Sequence, residues 1–132
     1  MSLRKERLRN MKPKVDPIRL TMDMVAIPSY SYMDHQEEAI SQYILDFFLE
    51  HGFTAYRTEI VPGRYNTFAI LEGTERETSP SLLLTGHMDT VPAYDFEKAF
   101  EPREDEEYVY GRGTVAMKGQ LAAARCAMVT LK

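Results

Sequence analysis

Two side chains that can do chemistry follow a short apolar run near the middle of the chain. His87 and Asp89 come shortly after Leu82–Leu84, within the stretch SLLLTGHMDTVP of residues 81–92. Residues two apart in an extended chain point to the same side, so the Asp89 carboxylate can hold one imidazole nitrogen of His87 while the other binds a metal ion. A strand-end histidine that is simply hydrogen-bonded to a neighbouring acid fits the same triplet, and the triplet alone does not separate the two interpretations.

The element that must position this pair is predicted to be a buried strand beginning at Ser81. A short continuous apolar run is typical of a strand covered on both faces, as in a parallel sheet. Ligands and catalytic groups in open α/β sheets lie at the carboxyl ends of strands. We therefore expect His87 and Asp89 at the C-terminal end of a central strand.

A second, glycine-rich motif follows at residues 111–119, with the sequence GRGTVAMKG. GHMDTVP followed by GRG-x-x-x-MKG resembles the zinc-dependent aminoacylase and carboxypeptidase family, which includes acetylornithine deacetylase, succinyl-diaminopimelate desuccinylase and the glutamate-releasing carboxypeptidases. IPSYS at residues 27–31 resembles the N-terminal loop of that family, and Asn66 lies in a stretch like its Asn-containing second strand. The resemblance covers nearly everything after about Asp16. The spacing of the second motif fits neither a dinucleotide-binding loop nor a Walker loop.

The resemblance implies a fold, a cofactor and a reaction. The fold is α/β, the N-terminal part of a zinc-peptidase-like catalytic domain in the form of a partial three-layer α/β/α sandwich. The implied cofactor is a pair of zinc ions, with His87 as a metal ligand and Asp89 as the carboxylate that orients its ring. The implied substrate is a small N-acyl amino acid or a peptide, cleaved at an amide bond next to a free carboxylate. Nothing in the sequence identifies the residues that bind the substrate.

The chain departs from the family at Ala116, where the family has the aspartate that bridges the two zinc ions. The general-base glutamate and the remaining ligands of the family come later in sequence than the end of this chain. Even an open catalytic zinc site keeps three protein ligands, so we expect no zinc pair and no hydrolysis from this chain as written. Two hypotheses stay open: a truncated, ligand-deficient member of an enzyme family, and a non-catalytic remnant that binds a partner or self-associates through an incomplete sheet.

Length, net charge and cysteine content limit the number of domains, the partners and the location that we expect for this protein. The 132 residues suit one domain, and we expect a flexible basic leader at residues 1–15 before the catalytic-domain part at residues 16–132. A net charge of −4 gives no reason to expect nucleic acid or a membrane as a partner. A single cysteine, Cys126, excludes an internal disulfide and favours a reducing, cytoplasmic location.

Local signals predict the remaining elements. Caps, prolines and apolar periodicity predict three helices: one after Asp16 and Pro17, one from about Asp34 to His51 with Gly52 as its cap, and one at Lys118–Lys132. Strands are predicted at Phe53–Val61, Asn66–Leu71 and Glu107–Tyr110. Residues 74–80 are predicted to form a polar loop. His35 and His51 flank the second helix and are expected at the surface without partners.

Overall fold

The computed structural model describes residues 13–74 and 80–132. In chain order, this part forms α1 (Pro17–Val25), α2 (Glu38–Glu50), β1 (Thr54–Val61), β2 (Arg64–Ile70), β3 (Arg103–Glu104), β4 (Val109–Tyr110) and α3 (Gly119–Leu131). The mixture of helices and strands confirms the predicted α/β class. Most of the predicted leader and most of the predicted loop at 74–80 lie outside the described residues. None of the helices in the described ranges is long and apolar enough to cross a bilayer.

Helix α1 starts where its local sequence signals predict. The Asp16 side chain accepts a hydrogen bond from the Ile18 backbone N–H at 2.9 Å, which satisfies one free donor of the first turn. Pro17 occupies the first turn, where its missing N–H costs nothing. The helix ends at Val25, shortly before Pro28.

Helix α2 begins later than predicted but ends as predicted. It starts at Glu38 rather than near Asp34, because His35 and Gln36 have φ values of 59° and 28°, which no right-handed helix contains. At the other end, Gly52 has a φ of 71°, the left-handed conformation that terminates helices and that glycine adopts without strain.

Strands β1 and β2 form an antiparallel hairpin that covers α2 with one face. The inward-facing Arg57 guanidinium donates to the Ser41 hydroxyl of α2 at 3.0 Å. On the outward face, the rings of Tyr56 and Phe68 stack with centroids 5.0 Å apart and are 49% and 42% exposed. The hairpin therefore has one half-buried and one exposed face, in the way that antiparallel sheets commonly face the core on one side.

The core joins the three helices to the start of the hairpin. Helices α1 and α3 pack against each other, and α2 packs on both strands of the hairpin. The buried apolar cluster contains Leu20, Met24, Ile40, Ile44, Phe47, Phe48, Phe53, Ala122 and Val129. Because these residues come from elements far apart in the chain, the cluster fixes how the loops between the elements meet.

The predicted buried strand at Ser81 is wrong. Residues 81–89 form no β-pairing with any described residue, and the two sheets that the described residues form are antiparallel pairs. Leu82, Leu83 and Leu84 are 82%, 84% and 50% exposed. An apolar run becomes a buried strand only when neighbouring strands satisfy its backbone and other elements cover its faces. Neither condition is met in the described part of the chain.

Candidate active site

The His87 imidazole is held by the Asp89 carboxylate, in the arrangement that the sequence predicts. His87 Nδ1 lies 3.0 Å from Asp89 Oδ1 and 3.1 Å from the Asp89 carbonyl oxygen. Both partners are acceptors, so Nδ1 carries the proton and Nε2 is the unprotonated nitrogen of the neutral ring. The His87 side chain is 54% exposed. The ring therefore has a fixed tautomer and one nitrogen free to act as a ligand or a base.

A loop near the N-terminus holds the backbone on either side of Asp89. The Ser29 hydroxyl donates to the Met88 carbonyl at 2.7 Å. The Thr90 N–H donates to the Ser29 carbonyl at 3.0 Å, and the Ser31 N–H donates to the Thr90 carbonyl at 3.1 Å. These three bonds join the IPSYS segment, residues 27–31, to Met88 and Thr90, and they fix the position of residues 88–90.

The glycine-rich motif forms the opposite wall. Gly113 has a φ of 95°, and the following residues, Thr114–Lys118, make a wide turn that leads directly into α3. This wide turn is closed by the Lys118 N–H, which donates to the Gly113 carbonyl five residues earlier at 2.8 Å. A Cβ on Gly113 would lie 2.8 Å from Thr90 Cγ2, so only glycine allows this wall to approach the His87 loop so closely.

Ala116 lies in the wide turn and faces the same pocket as His87 and Asp89. The pocket has a volume of about 370 Å³ and is lined by Ser31, His87, Asp89, Thr90, Val91 and residues 111–116. The structure thus brings the three predicted site positions together. The side chain of Ala116 is a methyl group, so at this position the wide turn presents only an apolar group to the pocket.

A second pocket lies on the other side of the His87–Asp89 segment and contains an ion pair. Its volume is about 340 Å³, and Glu37 and Arg64 are among its lining residues. Arg64 Nη2 donates to Glu37 Oε1 at 2.7 Å, and the Glu37 side chain is only 6% exposed. The Glu37 carboxylate raises the pKa of Arg64. The sequence analysis did not identify this pair, because its members lie 27 residues apart and carry no motif.

Lys118 is a buried cation directly behind the glycine-rich wall. Its side chain has no exposed surface, and its Nζ donates to the carbonyls of Met24 and Ile27, both at 2.8 Å. Burial lowers the pKa of Lys118 to about 8, so the side chain still carries its charge at pH 7. The sequence predicts Lys118 at the start of a helix and does not predict that its side chain is buried. The Met-Lys-Gly motif is the one sequence signal that could have indicated this buried position.

The donor set around the pocket does not fit a pair of zinc ions. Within residues 13–74 and 80–132, no three His, Cys, Asp or Glu side chains cluster so that they could hold a metal ion. His35 pairs with a glutamate of α2, and the His51 ring lies 4.2 Å from the Phe47 ring, so neither histidine joins His87. Both histidines were expected at the surface without partners. His35 is at the surface but has a partner, since its Nδ1 lies 3.0 Å from Glu38 Oε2, and His51 has a partner because its ring packs on Phe47 at the end of α2.

Comparison with known proteins identifies the family. The profile of peptidase family M20/M25/M40 matches residues 83–132, which span the His87–Asp89 pair and the glycine-rich motif. A similar protein, N-formyl-4-amino-5-aminomethyl-2-methylpyrimidine deformylase of Halalkalibacterium halodurans, is 32% identical over 124 residues, or 91% of this chain. The chain belongs to peptidase family M20. The resemblance to the aminoacylase and carboxypeptidase family is confirmed.

Other relatives extend the comparison across the family. Acetylornithine deacetylase of Vibrio vulnificus is 36% identical over 92 residues, or 67% of this chain. A probable succinyl-diaminopimelate desuccinylase of Staphylococcus epidermidis is 32% identical over 121 residues, or 89% of this chain. The M20 chain spans 29%, 23% and 28% of the lengths of these three relatives. The family homologues are hydrolases that act on amide or peptide bonds, and they share with this chain the region that contains His87.

Proposed function

We propose that this M20 chain provides the His87–Asp89 part of a di-zinc amidohydrolase site, and that with Ala116 it neither holds a zinc pair nor hydrolyses an amide by itself. The substrates of the complete site would be N-acyl amino acids or peptides cleaved at a C-terminal residue. In this assignment His87 is the metal ligand and Asp89 is the residue that orients it.

The hydrogen bond between His87 and Asp89 carries this proposal. In the neutral ring it makes Nε2 the nitrogen without a proton, beside a pocket that is also lined by Ala116. The same geometry supports the absence of activity, because the Ala116 side chain offers no oxygen and the described His, Cys, Asp and Glu side chains include no third ligand. We therefore assign to this chain the positioning of one ligand and no catalytic step that uses a metal.

Zinc titration and hydrolysis assays test the proposal. We expect isothermal titration calorimetry to detect no tightly bound zinc pair, and we expect no turnover of N-acetyl amino acids or of short peptides. His87→Ala should remove whatever weak zinc binding exists, while the matched control His35→Ala should not. Two equivalents of tightly held zinc per chain would contradict the donor count.

A chimera tests the family role in the positive direction. The chain would replace the matched region of the Halalkalibacterium halodurans deformylase, once unchanged and once with Ala116→Asp. We expect zinc-dependent deformylation only from the version with the substitution. Activity from the unchanged version would show that Ala116 does not remove a needed ligand.

A second candidate function, a non-catalytic binding module, is favoured by a slot between two strand-like edges. The slot has a volume of about 290 Å³, with residues 66–69 of β2 on one side and residues 83–86 on the other. The side chains of consecutive residues in a strand point to alternate faces of the sheet. Because four consecutive residues line the slot on each side, the slot lies along the edge of each segment and not on one of its faces. The floor is mainly apolar, and it consists of Ile44, Phe48, Leu121, Ala124, Arg125 and Met128.

Both edges have free backbone groups within the described residues. β2 pairs with β1 on one edge only, and residues 83–86 pair with nothing that the structure describes. An extended segment placed between them would pair with both, and such open edges associate readily. We propose a second copy of the chain as the occupant, since Leu82–Leu84 offers an exposed apolar segment of this kind.

Self-association is measurable without a functional assay. We expect light scattering coupled to size-exclusion chromatography to give a molecular mass that rises with protein concentration. Leu83→Asp should return the mass to that of a monomer, whereas Tyr32→Asp, at a position that is 95% exposed but outside the slot, should not. A monomer at all concentrations would overturn this candidate function.

We also propose a cytoplasmic location, with neither nucleic acid nor a membrane as a partner. The Cys126 thiol is buried and donates to the Val15 carbonyl at 2.8 Å. Burial raises the pKa of Cys126, which keeps the thiol protonated and unreactive. The net charge of −4 provides no general attraction to polyanions.

A further inference from the structure

Lys118 joins the end of one helix to the wall of the pocket. Its ammonium group donates to the Met24 carbonyl in the last turn of α1 and to the Ile27 carbonyl two residues beyond the end of the helix. The helix dipole favours a positive charge at this end, and the Met24 carbonyl, which also accepts from the Ile27 N–H at 3.2 Å, has no donor four residues on within the helix. Both effects favour the charged form of the buried side chain, although burial opposes it.

The other end of the Lys118 side chain determines where the glycine-rich wall lies. Lys118 Cδ would be 3.1 Å from a Cβ on Gly113, so the aliphatic stem fills the space beside that glycine. The preceding residue, Met117, accepts a contact from the His87 backbone N–H, with 3.3 Å between nitrogen and sulfur. The Met117 side chain also fills the space in front of Gly86. A change in the position of Lys118 is therefore transmitted to the His87 backbone through one intervening residue.

A second connection runs from the same helix end to the same site. Ile27, whose carbonyl Lys118 binds, is followed closely by Ser29, which bonds to Met88 and Thr90. We propose that Lys118 is a positioning residue, which sets the distance between the wall that contains Ala116 and the loop that contains His87. This inference rests on the proposed function, because that function assigns His87 as the metal ligand that Lys118 would position.

Packing alone does not account for a lysine at this position. An ammonium group taken out of water loses its hydration, and methionine would fill the same space without that cost. Lysine adds two hydrogen bonds, one to the Met24 carbonyl in the last turn of α1 and one to the Ile27 carbonyl in the loop that follows. Those two bonds specify one arrangement of helix, loop and wall, whereas an apolar side chain would allow neighbouring arrangements.

The test compares Lys118→Met with Lys132→Met. Lys132 is the matched control, because its Nζ also donates to two carbonyls at a helix end, those of His51 and Gly52 after α2, yet it lies outside both pockets that flank His87. We expect Lys118→Met to change the ¹⁵N signals of the His87 ring and to speed amide exchange at Thr90 by about tenfold or more. Lys132→Met should lower stability without either effect, and Lys118→Arg, which keeps the donors, should restore part of the His87 signal.

Unchanged His87 signals in a folded Lys118→Met chain would overturn the proposal and leave Lys118 a purely structural residue. Should that variant fail to fold, hydrogen exchange in the unmodified chain decides the question. The proposal requires the Thr90 amide to open together with the Ala26 amide at the end of α1, and independent opening of Thr90 would contradict it. None of these readouts depends on hydrolysis or zinc, so their failure is distinct from failure of the proposed function.

Discussion

Replacing Gly113 with alanine should destabilise the chain strongly, because the added methyl group introduces both backbone strain and steric crowding. Gly113 has a φ of 95°, a conformation that costs an L-residue about 1–3 kcal/mol. The new Cβ would also lie 2.8 Å from Thr90 Cγ2 and 3.1 Å from Lys118 Cδ. Overpacking of this kind costs about 1–3 kcal/mol. We expect the free energy of unfolding to fall by about 2–6 kcal/mol, a large part of the stability of an ordinary domain.

Gly73→Ala is the matched control for this prediction. A Cβ on Gly73 would meet no atom within 4 Å, and Gly73 is not among the residues with positive φ. Urea unfolding followed by circular dichroism gives the free energy for the parent chain and for both variants. We expect Gly73→Ala to change it by less than about 0.5 kcal/mol. Equal effects of the two substitutions would refute the assignment of strain and crowding to Gly113.

A double mutant separates the two costs at Gly113. Thr90→Ser removes Cγ2, the atom nearest to the new methyl group, and keeps the hydroxyl group. In the Thr90→Ser background, Gly113→Ala should therefore cost less, by about 1 kcal/mol, because the backbone strain remains and part of the crowding disappears. If the cost stays the same in both backgrounds, crowding against Thr90 is not a part of it.

Three further substitutions test other parts of the structure. Asp16→Ala removes the side-chain cap of α1 and should lower the free energy of unfolding by about 0.5–2 kcal/mol in urea titrations. Arg125→Met should raise it by about 1 kcal/mol, since burial desolvates the guanidinium and, within the described residues, none of its three nitrogens makes a hydrogen bond of good geometry, although Tyr43 lies beside it. A lower stability would show that the contact of the guanidinium with the Phe47 ring, at 3.9 Å from the ring centroid, matters more than desolvation. Ala116→Asp should give weak zinc binding in calorimetry and still no hydrolysis of N-acetyl amino acids, and zinc-dependent turnover would reveal ligands not recognised here.

The sequence predicted best those features that a few neighbouring residues determine. The cap by Asp16 and the helix end at Gly52 both depend on backbone preferences within one turn of chain. The pairing of His87 with Asp89 belongs to the same class, because a spacing of two in an extended segment suffices for it. The late start of α2 escaped prediction because His35 and Gln36 adopt left-handed conformations for which their residue types give little signal.

Contacts between distant parts of the chain could not be predicted in this way. Lys118 binds a carbonyl 94 residues away, and Arg64 binds a carboxylate 27 residues away. Neither residue has a neighbour in sequence that reveals its partner, and a buried lysine is contrary to the usual preference of that residue type. Such contacts depend on how α1, α2 and the hairpin pack, which periodicity alone does not determine.

The predicted strand is absent while the predicted contact between His87 and Asp89 is present, because the two features depend on different parts of the chain. The leucine run predicts a strand ending at Gly86 that would position His87, but residues 81–86 have no pairing in the described chain. His87 and Asp89 nevertheless lie 3.0 Å apart, because their spacing of two suffices for the contact, while Ser29 and Met117 hold the backbone around them. The pair is therefore held by loops that pack on α1 and α3, and its geometry does not require the leucine run before it to enter a sheet. Pairing of that run with another strand would bury exposed leucines and stabilise the fold, while the orientation of the imidazole is already determined by contacts within this chain.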